Sequence, residues 1–207
     1  MVKKRVYQFR ADLKGIKPAM WRRFQVSENE TMQGLAERVM WIFDFLEDNW
    51  YSLTELSGDQ FKREYRKKRK NSQAAGQDAG LEITPLDPRM KNISYVMEKQ
   101  STTDLKDWTP NIVQPGQTRL KESQAQAGST FLFEYDLHAN WEVKLKLEKI
   151  VEEDTADAEL PRVLKGKGPG VMGALDIEDL KQMVADDLVD LDDFDLEDLN
   201  YAIKGIE

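Results

Sequence analysis

Cysteine is absent from this 207-residue chain, and histidine occurs once. The first absence removes disulfides, thiolate nucleophiles and zinc–sulfur sites. The second leaves a metal only an all-oxygen site, and leaves acid–base catalysis a single imidazole. Long apolar runs are missing too, since nothing approaches the roughly 20 residues that span a bilayer. The opening "MVKKRVYQFR" has basic residues with no apolar stretch behind them, which does not fit a secretory signal. The expectation is a soluble, cytoplasmic protein with no membrane partner and no cofactor.

What is present builds a globular protein. Hydrophobic residues make up 40% of the chain, with five Trp and eight Phe, enough for a real core. The net charge of -8 is unevenly spread. Residues 176 to 207 hold twelve Asp/Glu and two Lys, a net of -10, so the rest of the chain sums to +2. Within that rest, "KREYRKKRK" places Lys62, Arg63, Arg66, Lys67, Lys68, Arg69 and Lys70 around one Glu. A nearly neutral body thus carries one basic patch and one acidic end.

Periodicity supplies the elements. "VYQFRADL" alternates Tyr7, Phe9, Ala11 and Leu13 against polar residues, a half-buried strand. "MWRRFQV" follows a Gly–Pro break as a second strand, with Phe24 and Val26 inward. Thr31 caps a helix over 32 to 46, whose stripe is Leu35, Val39, Ile42 and Leu46. "NWYSLTEL" reads as a strand. Residues 57 to 80 show no apolar period and read as a flexible basic and polar insertion. "LEITPL" reads as a short strand, and "RLKESQAQA" as a short helix. The clearest hairpin is "FLFEYDLHANWEVKLKLEKI", with Phe131, Phe133 and Tyr135 on one strand and Trp141, Val143, Leu145 and Leu147 on the other. Its outer charges are expected to pair across the two strands. Asp176 and Asp195 each cap a short helix in the acidic end, the second stopped at Gly205. The reading is one α+β domain over 1 to 175, mostly antiparallel sheet with packed helices, and an acidic helical C-terminal segment over 176 to 207.

"LKGIKPAMWRRFQV", the Thr-capped helix, "FEYDLHANWEVKLKLEKI" and "PRVLKGKGPG" together resemble the plasmid ORF-three-like family. That family is named for an open reading frame on a root-inducing plasmid and is also found near insertion elements. The resemblance implies an α+β fold on a mostly antiparallel sheet and brings no established activity. The chain departs from the family pattern in three places. The turn reads "DLHAN" where relatives have a glycine, which leaves Asn140 to take positive φ. "EDNWYSLTEL" lacks the histidines that relatives carry after the first helix. "GKGPGVMGAL" lacks their Cys, Pro-Pro and acidic pair.

Four groups of residues invite a functional reading. His138 lies in the hairpin turn with Asp136 two residues away, but no nucleophile signature accompanies it, so it reads as a bend. Gly168, Gly170 and Gly173 fit Gly-x-Gly-x-x-Gly, yet Pro169 interrupts them and no second parallel strand follows, so no dinucleotide site is expected. "DLVDLDDFDLED" fails as a calcium loop in both registers. With Asp190 first, Phe194 takes a ligand position; with Asp193 first, Lys204 takes the place of the bidentate Glu. Phe61 and Tyr65 interleave with the cations of 62 to 70, which fits phosphate neutralisation and base stacking, or else a solvated arm. The acidic end is a candidate shield for that arm.

Trp21, Arg22, Arg23, Asp136, His138 and Trp141 form a candidate ligand or peptide groove, with Arg22 expected to pair with Asp136. The function expected is a non-enzymatic interaction module with a protein partner. The alternatives are a nucleic-acid accessory protein using 62 to 70, and an enzyme of unknown reaction class.

Overall fold

The protein is seen in a computed structural model that describes residues 3–45, 49–74, 91–97, 116–136, 138–154 and 160–205. Its strands are β1 (Lys4–Leu13), β2 (Trp21–Ser27), β3 (Tyr51–Glu55), β4 (Ile93–Met97), β5 (Thr130–Tyr135), β6 (Trp141–Glu153) and β7 (Arg162–Lys167). Its helices are α1 (Met32–Phe43), α2 (Ser57–Ala74), α3 (Ile177–Ala185) and α4 (Leu196–Ala202). The strands form one antiparallel sheet in the order β4-β3-β5-β6-β1-β2-β7. The α+β reading holds.

Alternation decides which face is buried. Tyr7, Phe9, Ala11 and Leu13 of β1 point inward beside Phe24 and Val26 of β2, and the inward set of the β5–β6 hairpin continues the layer. Phe9 stacks on Phe24 with centroids 5.7 Å apart and meets Phe131 edge-on at 5.9 Å. Helix α1 belongs to this layer, with Leu35, Val39, Ile42 and Phe43 fully buried. Thr31 caps it, its Oγ1 accepting from the amide of Gly34 at 2.9 Å. The helix stops at Phe43, short of the predicted 46. Asp44 turns into the left-handed region at φ 62° and its amide closes on the last carbonyls. That turn carries Phe45 into the core, 4.7 Å from Tyr135 and 5.7 Å from Trp141.

Both predicted caps of the acidic region are present. The Asp176 carboxylate accepts from the amides of Glu178 and Asp179, and that of Asp195 from Glu197 and Asp198. Helix α4 packs against β7 and α1. Asn200 both accepts from the Val163 amide at 2.8 Å and donates to its carbonyl at 3.1 Å. An edge strand offers such unpaired groups to any passing strand, and Asn200 occupies one pair of them.

Some expectations need correcting. Residues 57 to 74 are helical, although no apolar period announces it. The segment is built from good helix formers, and its only large apolar pair is Phe61 and Tyr65, too narrow a stripe to register. "LEITPL" and residues 75 to 80 lie outside the described residues. "RLKESQAQA" makes only a single 3-10 turn at Leu120–Glu122. The hairpin's outer charges do not pair with each other, since Glu134 faces Glu142 across the two strands. Their partners lie on neighbouring elements: Glu142 bonds Lys14, and Glu148 bonds Arg23.

Candidate nucleic-acid interface

The basic segment gains its geometry from being a helix. Residues three, four and seven apart share one face of a helix. Arg63, Arg66, Lys67 and Lys70 have that spacing, and all four are exposed. Phe61 and Tyr65 sit on the opposite side and are half-buried. Lys62 is turned away from the stripe and pairs with Asp59 at 3.2 Å. The side chains of Lys68 and Arg69 lie outside the described residues. The first turn is docked beside β4, where the Asp59 amide donates to Asn92 Oδ1 and Asn92 Nδ2 donates back to the Asp59 carboxylate, each at 3.1 Å. The Asn92 bond, and Lys62 after it, hold the Asp59 carboxyl below its usual range.

The acidic end packs on β7 and α1, while α2 starts from β3 and is held beside β4.

Four of the six groove candidates divide between two faces of the sheet, and the other two, Asp136 and His138, lie in the β5–β6 turn. Arg22 and Trp141 point inward and are buried. Trp21 and Arg23 point outward, because neighbours along a strand alternate. Arg22 does not pair with Asp136. Its Nε donates to the Ile42 carbonyl at 3.0 Å, and its Nη1 donates to the carbonyls of Lys167 at 2.7 Å and Trp21 at 3.1 Å. The guanidinium lies 5.1 Å from the Phe43 ring centroid and 5.5 Å from that of Phe194. Burial alone lowers its pKa to about 10, so it remains a cation at neutral pH. Arg22 Nη2 has no hydrogen-bond partner.

Asp136 is committed to the hairpin turn. Its Oδ1 accepts from the backbone amides of His138 at 2.8 Å and Ala139 at 3.3 Å. It takes positive φ, 55°, as does Asn140 at 52°. Asn140 was the residue expected to do so; Asp136 was not. His138 is exposed in that turn. The other oxygen of the carboxylate two residues before it, Asp136 Oδ2, accepts from Asn49 Nδ2 at 3.3 Å.

Two features escaped the sequence reading. Glu55 points into the core from β3, 1% exposed, with one carboxylate oxygen unpartnered. Burial raises its pKa to about 7. A cleft of about 270 Å³ lies where the end of α1, the 168–172 loop and α4 meet, lined by Trp41, Asp44, Pro169, Met172 and Asp198 among others. Burial first, and the Asp198 charge second, raise the Asp44 carboxyl. Among the described residues no group of His, Asp or Glu is arranged to hold a metal ion. The glycines of that loop serve close approach. A Cβ on Gly170 would lie 2.9 Å from the Phe43 carbonyl oxygen. The strand before them is an antiparallel edge strand, which no dinucleotide-binding βαβ unit uses. No helix among the described residues is long and apolar enough to cross a membrane.

Residues 5–199 match the family described as plasmid pRiA4b ORF-3-like protein. The chain belongs to that family. A solved structure shares its fold: the crystal structure of the protein of unknown function MM3350 from Methanosarcina mazei Go1. The TM-score is 0.67 at 19% identity, over 95% of this chain and 97% of the other. No curated protein sequence matches the chain. Neither the family's description nor that of the structural neighbour names an activity.

Proposed function

We propose that this protein is a non-enzymatic interaction module that grips duplex DNA through the exposed basic face of α2. One observation carries the reading: Arg63, Arg66, Lys67 and Lys70 line one side of a helix and are exposed. A helix fits the major groove of B-DNA, and four cations along one side reach phosphates on its walls. An association with mobile elements, expected from the family resemblance, would supply such DNA. The non-enzymatic part rests on the chemistry available. The single imidazole is in an exposed turn, and the neighbouring carboxylate accepts from two backbone amides and the Asn49 side chain.

The test is fluorescence anisotropy of a labelled duplex across a salt series. Wild type should bind at low salt and lose affinity steeply, with a log–log slope of about -3 to -4 for four phosphate contacts. Arg66→Glu/Lys70→Glu should bind at least tenfold more weakly with unchanged circular dichroism. Equal binding by wild type and variant would sink the reading, as would turnover of any substrate in a broad activity screen.

A further inference from the structure

The outward face of the sheet carries a second basic surface, unrelated to α2. Strand register places Lys146 opposite Arg10, Arg10 opposite Arg23, and Arg23 opposite Lys165. Four cations therefore stand in a row across β6, β1, β2 and β7, spanning roughly 14 Å at the usual strand spacing. Like charges placed directly opposite one another destabilise a sheet. Asp12 and Glu148 beside the two central arginines offset that repulsion within the row.

The two central members are pre-ordered. Arg10 lies 4.2 Å from the Trp21 ring centroid and Arg23 5.5 Å. Asp12 fixes Arg10 at 2.7 Å, and Glu148 takes Arg23 through two bonds of 2.7 and 2.8 Å. Both arginines still keep about a third of the side chain exposed, 32% and 30%. The outer members, Lys146 and Lys165, are exposed, and among the described residues neither forms an ion pair. Lys144, one row further along β6, is exposed as well. An indole with two guanidinium groups beside it, flanked by exposed lysines on a sheet, combines a stacking platform with phosphate-binding charge. At the β7 end Lys167 already holds an anionic group, Asp192 at 2.8 Å.

We infer that this face, centred on Trp21, Arg10 and Arg23 and bounded by Lys146 and Lys165, binds single-stranded nucleic acid. Bases stack on the Trp21–Arg platform, and phosphates sit along the lysines.

The probe is a labelled oligothymidine of about 15 nucleotides, titrated at low salt with full-length protein. Lys146→Glu/Lys165→Glu should bind at least tenfold more weakly, with a salt slope shallower by about 1.4 for the two lost contacts. Wild-type tryptophan emission should be quenched on binding, and Trp21→Phe, which keeps an aromatic ring in place, should lose most of that quenching. The α2 variant Arg66→Glu/Lys70→Glu should bind oligothymidine as wild type does. Duplex binding lost only in the α2 variant, and single-strand binding lost only in the sheet variant, separate the two surfaces; either can fail alone. Oligothymidine binding that ignores the Lys146/Lys165 reversal overturns the inference. So does absence of binding at low salt. Competition by polyglutamate as strong as by oligothymidine also overturns it, and reassigns the face to acidic peptides.

Discussion

Arg22 donates from Nε to the carbonyl oxygen of Ile42 at 3.0 Å, which joins strand β2 to the last turn of α1. The last carbonyls of a helix have no partner inside it. Here a buried guanidinium supplies one, and its Nη1 reaches on to the carbonyl of Lys167 in β7. One side chain thus ties together the helix end, its own strand and the edge strand.

Removing that tie should be costly. Arg22→Ala leaves the carbonyls of Ile42 and Lys167 without their donor and opens a cavity between Phe43 and Phe194. The expected loss is about 3–5 kcal/mol, in the range for breaking a buried charged network or emptying a core site. Urea unfolding followed by tryptophan emission measures it. A loss below about 1 kcal/mol, the value of an ordinary surface change, would place the tie elsewhere.

Glu55 makes stability fall with rising pH. Its folded pKa is about 7 against an ordinary value of 4.5, because burial disfavours the charged form. The folded state therefore holds a proton that the unfolded chain has already released between those two values. The penalty for ionising Glu55 is absent below about 4.5 and grows as pH rises until it levels off above about 7. The full loss is about 3 kcal/mol. Glu55→Gln should flatten this part of the profile and be more stable than wild type at pH 8. Thermal melts at pH 5 and pH 8 compare the two, and parallel profiles would show that the carboxyl is ionised without penalty.

Gly166 is a steric requirement. A Cβ there would stand 2.3 Å from a Phe194 ring carbon, 2.7 Å from the Trp21 carbonyl oxygen and 3.0 Å from the Arg22 side chain. Backbone cannot yield cheaply, so the Phe194 ring must leave. Gly166→Ala should cost about 1–3 kcal/mol, as overpacking does, and should hasten proteolysis within residues 186 to 205. Unchanged cleavage there would mean that the ring accommodates the methyl group in place.

Asp195 starts α4, and α4 covers the β7 edge. Asp195→Ala removes the acceptor for the amides of Glu197 and Asp198, at a cost of about 1 kcal/mol. Hydrogen exchange should show faster exchange at Val163, whose amide depends on Asn200 of that helix. Protection at Val163 equal to wild type would separate the cap from the edge.

Much of this was legible before any coordinates. Strands with strict alternation, caps with a side-chain acceptor, and the turn residue Asn140 all follow from local rules that need no knowledge of neighbours. Arg22 was legible and missed: with Phe24 and Val26 inward, the same parity sends Arg22 inward too. Its partners were not legible, because backbone carbonyls leave no mark in a sequence. Helix α2 was hidden because its face is charged rather than apolar. Glu55 was hidden for a different reason. A lone Glu at the end of a short strand looks like a surface residue until the sheet order places β3 between β4 and β5. The row Lys146–Arg10–Arg23–Lys165 needed the register of four strands, two of them more than a hundred residues from the other two.

The Asn200 clasp on Val163 has a consequence for assembly. Strand β7 is the last of the sheet, and at Val163 the outward amide and carbonyl that another strand would use are already taken by one side chain of α4. A strand adding there must first displace that helix, so α4 acts as a stopper on the growth of the sheet.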